Sequence, residues 1–176
     1  SLPKGFLFYF RRMKHLIALV MLWCGMLNAQ TTSPCASPEN AEFDFWLGEW
    51  NLSWADTGKG TNIIMRKLDG CVVEENFSDS ISAFYGRSWS VYNTNKKVWQ
   101  QTWVDNSGAY LLLEGGMKDG KMRLQMERTN KKGVKTISAM EFRNITKDSF
   151  DWEWMQSTDE GVTWSSLWLI HYTRKK

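Results

Sequence analysis

Residues 48–54 read GEWNLSW, in which the large apolar side chains of Trp50, Leu52 and Trp54 alternate with polar neighbours. Such alternation sends successive side chains to opposite faces of an extended chain, which is the pattern of a half-buried β-strand. The same spacing returns in VWQQTWV at residues 98–104. These two segments therefore predict an all-β fold.

Turn-forming residues divide the rest of the chain at regular intervals. The clearest turn is Asp119-Gly120, a pair that favours a two-residue β-hairpin. Reading between the turns gives about ten strands, and no long helical pattern interrupts them. The predicted spans are 48–55, 61–68, 71–79, 83–92, 98–104, 109–116, 121–129, 134–144, 149–157 and 163–174.

An antiparallel meander of this length leaves two exposed edges unless it closes on itself. Closure into an up-and-down β-barrel is the usual solution, and a two-sheet sandwich is the alternative. Ahead of the strands, Ser37 followed by Pro38 resembles a helix start. We expect a short helix from Pro38 to about Phe45 that ends before Gly48.

The first 29 residues differ in kind from the rest. Basic residues precede a short apolar run, residues 16–27, and Asn28-Ala29-Gln30 offers a small residue for cleavage. This order is typical of a secretory signal peptide, and the run is shorter than the roughly 20 residues of a spanning helix. We therefore expect a signal peptide over residues 1–29, in which residues 1–12 are an over-extended start before Met13, and a periplasmic or secreted mature chain.

Removing this leader changes the charge of the chain. It holds four of the 22 basic residues and no acidic one, so 18 basic and 19 acidic groups remain, a net charge of −1. The basic field that nucleic-acid binding requires is therefore absent. Two cysteines remain, Cys35 and Cys71, and export favours one disulfide between them over two buried thiols. We expect no metal site, because His171 is the single histidine left and no CxxC motif is present.

Residues 43–50, FDFWLGEW, are similar to the opening of calycin-type barrels. In those barrels a helical turn plugs one end and runs into G-x-W on the first strand. The wider set adds Cys35, DGCVVEE at 69–75, GRS at 86–88 and QTWVD at 101–105. Together these resemble the DUF1579-type family of exported bacterial proteins of unknown function, which is grouped with lipocalin-like and nitrobindin-like barrels. The resemblance implies a calycin-like barrel with a short N-terminal helical plug and a place in the bacterial envelope, and no established activity.

The segment 157–164, STDEGVTW, matches the Asp-box hairpin of sialidase propellers. A propeller would repeat the motif in each blade, and this chain has it once. Turn chemistry alone explains the residues, since aspartate and serine bond turn backbone and glycine takes positive φ. We interpret the segment as a structural hairpin.

The chain after the leader has ten tryptophans, more than a core of this size needs. Some of them are candidates to line a cavity and stack on a flat or apolar ligand. Trp99, Gln101 and Trp103 share one strand face, which we expect to point inward, with the opposite face as the alternative. Arg87 and Trp154 complete the predicted lining. An inward Arg87 would suit a carboxylate or phosphate on the ligand, or pair with an inward Glu74 or Glu75, and an outward Arg87 on a solvated face is the alternative.

His171 lies near the C-terminus, where the similar nitrobindin-like barrels carry a haem-ligating histidine. A haem protein is therefore one alternative, with His171 as the axial ligand, although the ordinary expectation is no cofactor. Enzymatic motifs such as a nucleophile elbow or a phosphate loop are missing. The leading expectation is an exported barrel that binds a small apolar or aromatic ligand. The other alternative is an envelope structural or protein-interaction module with a filled barrel.

Overall fold

The structure is a computed structural model that describes residues 34–129 and 131–176, which belong to one compact unit. The leader expected over residues 1–29 lies outside these residues. Ten strands make up the unit, and each strand boundary lies within three residues of its predicted position. The strands are β1 (Gly48–Trp54), β2 (Gly58–Lys67), β3 (Val72–Asp79), β4 (Tyr85–Asn93), β5 (Val98–Asp105), β6 (Tyr110–Lys118), β7 (Lys121–Thr129), β8 (Lys135–Arg143), β9 (Ser149–Ser157) and β10 (Ser165–Arg174).

The ten strands close into a single antiparallel barrel in which each strand pairs with its neighbours in sequence. β1 and β10 complete the ring, with Trp50 opposite Arg174 and Leu52 opposite Tyr172. Closure is favoured over an open sheet because it pairs the backbone groups of both edge strands. The predicted up-and-down barrel is therefore confirmed, and the sandwich alternative is wrong.

The hairpin between β6 and β7 has the predicted two-residue loop. Asp119 and Gly120 have φ of 51° and 74°, so both occupy the left-handed region of a type I′ turn. The register continues directly from the loop, with Lys118 opposite Lys121. The local turn chemistry thus sets the pairing of these two strands.

The N-terminal plug consists of two short 3₁₀ helices, Pro38–Ala41 and Asp44–Trp46, rather than one helix from Pro38 to Phe45. The break falls at Phe43, whose backbone leaves the helical region with φ −95° and ψ 7°. This break allows Phe43 and Trp46 to turn into the barrel together, where both are fully buried. Burial of two large rings outweighs continuation of one regular helix.

The plug half of the barrel is filled by aromatic side chains packed edge to face. Phe43 lies 4.7 Å from Trp99 between ring centroids, and Trp50 lies 4.8 Å from Phe150. Phe142 closes the group, 5.0 Å from Trp46. This end of the barrel is therefore solid core.

A contact across the closing strands fastens the plug to the barrel. The guanidinium of Arg174 lies over the Trp50 ring, 4.1 Å from its centroid, and donates to the carbonyl oxygens of Leu47 (2.7 Å) and Phe45 (3.3 Å). Gly48 makes the approach possible, because it has φ of 119° and a Cβ there would lie 2.6 Å from Arg174 Nη1. Trp50 is fully buried and thus covers the plugged end of the barrel.

The predicted disulfide is present between Cys35 and Cys71, whose Cα atoms are 5.0 Å apart. It joins the segment before the plug to the start of β3. Because the two cysteines are 36 positions apart in the sequence, the bond closes a loop that contains the plug, β1 and β2.

The segment 157–164 is a hairpin between β9 and β10, as predicted. Asp159 accepts hydrogen bonds from Ser157 Oγ (2.7 Å) and from Thr163 N and Oγ1 (2.9 and 2.6 Å). These bonds stabilise the ionised carboxylate and lower the pKa of Asp159 to about 2. The Trp164 ring turns back against the outside of the barrel, where the Arg123 guanidinium lies 4.9 Å from its centroid.

Candidate ligand-binding cavity

The half of the barrel away from the plug is hollow. It contains a cavity of about 380 Å³, within the range of roughly 300–1,000 Å³ that small-molecule sites occupy. Its wall is mainly aromatic and aliphatic. The aromatic members are Phe77, Phe84, Trp103, Trp152, Trp154, Trp168 and Tyr172. The alternative of a structural module predicts a filled barrel. The interior is filled in the plug half, but this half is hollow.

The period-two alternation of the strands explains which side chains face the cavity. On β9, Trp152 and Trp154 share the inward face with stacked rings 6.5 Å apart. On β5, Trp103 extends across the neighbouring strand over Gly86, where a Cβ would lie 2.1 Å from the ring. Its indole Nε1 donates to Asp105 at 2.9 Å. Gly86 therefore provides the space for the Trp103 part of the wall.

The cavity reaches the surface at the barrel end opposite the plug. Arg128, near the end of β7, lines it and is exposed to solvent. Phe84 and Gln156 lie at the same level, next to strand ends. A ligand would therefore enter past one cationic and several apolar side chains.

Toward the plug, the cavity ends at a buried polar cluster, which we call the floor cluster: Asn62, Glu75, Ser88 and Tyr172. Glu75 accepts hydrogen bonds from Asn62 Nδ2 at 2.7 Å and Ser88 Oγ at 2.6 Å. Asn62 Nδ2 also donates to the Tyr172 hydroxyl at 3.1 Å. Glu75 and Tyr172 line the cavity, so the cluster presents a carboxyl and a phenol to whatever occupies it.

Burial dominates the ionisation of the floor cluster. It raises the pKa of Glu75 to about 7, against the opposing effects of the hydrogen bonds from Ser88 and Asn62 and of the Arg87 charge. Burial, with the neighbouring Glu75 charge, also raises the pKa of the Tyr172 hydroxyl well above its ordinary value. Near neutral pH, Glu75 therefore changes charge while Tyr172 stays neutral.

No protein-family model matches the chain, and no curated protein matches it. The cavity is therefore interpreted from its own geometry and chemistry.

Three residues predicted to bind a ligand line this cavity: Gln101, Trp103 and Trp154. Gln101 is buried and donates from Nε2 to Ser90 Oγ at 2.9 Å, which holds the amide in the wall. Trp99, on the same strand face, packs instead in the plug core and donates from Nε1 to Glu42 at 3.0 Å. The predicted inward face of β5 is therefore correct, but of its two tryptophans only Trp103 lines the cavity, while Trp99 belongs to the plug core.

Arg87 does not line the cavity, contrary to the prediction that it belongs to the lining. Gly86 and Ser88, its neighbours on β4, face inward, so alternation turns Arg87 outward. Its guanidinium donates to the carbonyl oxygens of Gly86 (2.8 Å) and Phe77 (3.2 Å). Of the acidic pair Glu75 is the inward member, and it bonds to Ser88 and Asn62 and not to Arg87.

His171 is also placed outside the cavity. Ile170 and Tyr172 occupy the inward face of β10, which leaves His171 on the outer surface with about half of its side chain exposed. Its Nδ1 lies 2.8 Å from Asp151 Oδ1 on β9. A haem inside the barrel would therefore have no axial ligand in His171.

Sequence reasoning passed over several wall residues that the barrel brings together. Trp152 shares a face with the predicted Trp154, so period two alone was enough to find it. Trp168 and Tyr172 both follow a register shift in β10, between Ser166 and Trp168, that no sequence pattern shows. Glu75 was considered only as a partner for Arg87, because its position at the cavity floor depends on which face of β3 points inward.

Among the residues that the structure describes, no group of three or more histidine, cysteine or acidic side chains could hold a metal ion. Within the same residues, no helix is long and apolar enough to cross a membrane.

Proposed function

We propose that this chain is an exported carrier or sensor barrel that binds a small apolar or aromatic molecule in its cavity, and that it belongs to the DUF1579-type family. The observation that carries the binding role is the 380 Å³ cavity with its aromatic wall. Rigid rings of this kind offer a large apolar surface at little entropic cost. A few polar groups, among them Gln101 and the floor cluster, would orient the ligand.

The proposal of export is supported by two independent features. The leader has the order of basic, apolar and small residues that secretion requires. The Cys35–Cys71 disulfide is consistent with an oxidising compartment. Family membership is supported by the ordered set of short segments from Cys35 to Asp105.

Binding is tested with N-phenyl-1-naphthylamine, a neutral apolar dye whose fluorescence rises in apolar surroundings. We expect saturable binding to the wild-type protein and at least tenfold weaker binding to Trp103→Ala, which removes a whole ring from the wall. Leu111→Trp, which fills the cavity instead of enlarging it, is expected to weaken binding as well. Circular dichroism checks that each variant keeps the strand content of the wild type.

The matched control is Trp89→Ala, because Trp89 lies on the outer face of β4 and is 42% exposed. It removes the same side chain from the same barrel without touching the cavity. Absence of saturable dye binding to the wild-type protein would contradict the proposed function. Equal dye affinity in folded Trp103→Ala, Leu111→Trp and Trp89→Ala would contradict the assignment of the site to this cavity.

A further inference from the structure

The floor cluster holds a buried acid that lacks a basic partner. Glu75 lines the cavity, yet none of the ion pairs among the described residues includes it. Arg87, whose charge acts on Glu75, lies on the outer face of the barrel wall. A buried carboxylate without a counter-ion is costly, so a cation supplied from the cavity would be stabilising there.

We propose that the cavity selects a protonated amine carried on an aromatic or apolar body, and that the ammonium group contacts the carboxylate of Glu75. This deepens the proposed function and rests on it, since it names the chemical class that the same cavity takes. It also assigns Glu75 as the residue that determines specificity.

Hydrogen-bonding capacity at the floor fits an ammonium donor. A carboxylate has about four acceptor positions, and Glu75 uses one for Asn62 and one for Ser88. Both of these partners are donors, so they hold the ionised carboxylate in place while acceptor capacity remains. In Asn62, which donates to Glu75, the Oδ1 atom is buried without a hydrogen-bond partner among the described residues. The floor is therefore richer in acceptors than in donors.

The aromatic wall also fits a cation. Phe77 is the next inward residue after Glu75 on β3, on the side of the cavity mouth, and its ring centroid lies 6.1 Å from Trp103 and 5.8 Å from Trp168. Trp152 lies a further 5.8 Å from Trp168. Faces of such rings attract ammonium groups, most strongly where water is excluded. A cation moving inward would meet these rings before it reaches Glu75.

The opposite polarity is disfavoured at the floor. A ligand carboxylate there would lie beside Glu75 and repel it once Glu75 is ionised. An anion would find its cation at the mouth, in the exposed Arg128, where solvent screens the attraction. Comparison of cationic, neutral and anionic ligands with one ring system therefore separates the two ends of the cavity.

The charge of Glu75 gives the proposal a pH signature. Of the groups that face it, Asn62 on β2 and Ser88 on β4 do not titrate, and Tyr172 on β10 stays neutral because its pKa is raised. Burial raises the pKa of Glu75 to about 7, so about 3% of it is ionised at pH 5.5 and nearly all at pH 8.5. If only the ionised form binds the ammonium, amine affinity rises by up to about 30-fold over this range.

The experiment measures displacement of N-phenyl-1-naphthylamine by three indoles: tryptamine, 3-ethylindole and indole-3-acetate. At pH 8.5 we expect tryptamine to bind at least tenfold more tightly than the other two, and at pH 5.5 we expect this advantage to disappear. Glu75→Gln keeps the shape of the side chain and one acceptor oxygen for Asn62 Nδ2, its amide nitrogen can donate to Ser88 Oγ, and the charge is removed. It is expected to bind the dye normally and to lose both the tryptamine preference and its pH dependence.

Glu74→Gln is the matched control, since Glu74 is the neighbouring residue on β3 and faces outward, 3.7 Å from Lys67. It should retain the wild-type preference. If the dye binds but 3-ethylindole or indole-3-acetate competes as well as tryptamine at pH 8.5, the inference fails and the proposed function stands. Survival of the preference in Glu75→Gln would equally overturn it. Should Glu75→Gln not fold, the pH dependence of the wild-type protein decides the matter.

Discussion

At the scale of single residues, burial of the ionised Glu75 carboxyl costs free energy, and the rest of the fold offsets this cost. The folded protein holds its carboxyl at a pKa of about 7, against an ordinary value of 4.5. Between these two values the folded state binds a proton that the unfolded chain has released. The contribution of Glu75 to stability is therefore fully present below about pH 4.5 and is lost as the pH rises toward 7.

This linkage predicts a stability difference that depends on pH. Raising the pH from 4.5 to 8 should lower the free energy of unfolding of the wild type, relative to Glu75→Gln, by about 3 kcal/mol. Urea denaturation of both proteins across this range measures the difference, and the comparison cancels the carboxyl groups that they share. A difference that stays constant with pH would show that Glu75 titrates in the folded protein as it does in the unfolded chain.

At the scale of elements, neighbouring strands approach so closely that some positions have no room for a Cβ atom. Gly115 and Gly116 are adjacent on β6, but a Cβ on Gly115 would lie 2.0 Å from the Arg123 carbonyl oxygen on β7, whereas one on Gly116 meets nothing within 4 Å. The atom in the way belongs to the backbone, so a side-chain rearrangement cannot relieve the overlap.

We therefore expect Gly115→Ala to lower the free energy of unfolding by about 2 kcal/mol or more, because the β6–β7 pairing must shift. Gly116→Ala should be neutral or slightly stabilising, since it restricts only the unfolded chain. Thermal or urea unfolding of the two variants gives the comparison directly. Equal stability of the two would contradict the close approach of β6 and β7 at Gly115.

At the scale of the whole molecule, the barrel is divided by depth. The plug half is solid with aromatic rings, and the other half is hollow and reaches the surface. The disulfide and the Arg174 contacts fasten the plug to different strands, Cys71 at the start of β3 and Arg174 at the end of β10. One end of the barrel is thus fixed, so exchange of a ligand would take place at the other.

At the scale of the whole chain, we predict export with cleavage of the leader. Expressed from Met13 in a bacterial host, the protein is expected in the periplasm or medium with Gln30 as its first residue and with no free thiol. N-terminal sequencing and thiol titration of fractionated cells measure both. A cytoplasmic protein that retains the apolar run of residues 16–27 would contradict export.

Much of this architecture could be read from local pattern. Period-two alternation and turn residues located all ten strands, and the same pattern grouped Trp99, Gln101 and Trp103 on one face of β5. Two cysteines after a predicted leader were enough to predict the disulfide. The strands and turns depend on residues that are close together in the sequence, and the disulfide depends on the chemistry of cysteine. Both can therefore be predicted from the sequence alone.

What lies inside the barrel was decided by the tertiary structure. Trp99 and Trp103 are indistinguishable in pattern, yet one packs against the plug and the other forms the cavity wall, because depth along the barrel depends on where a distant segment inserts. The outward positions of Arg87 and His171, and the inward position of Glu75, likewise follow from which face of each strand turns in when β1 meets β10. Such choices arise from closure and packing between residues far apart in the chain, which alternation along one strand does not encode.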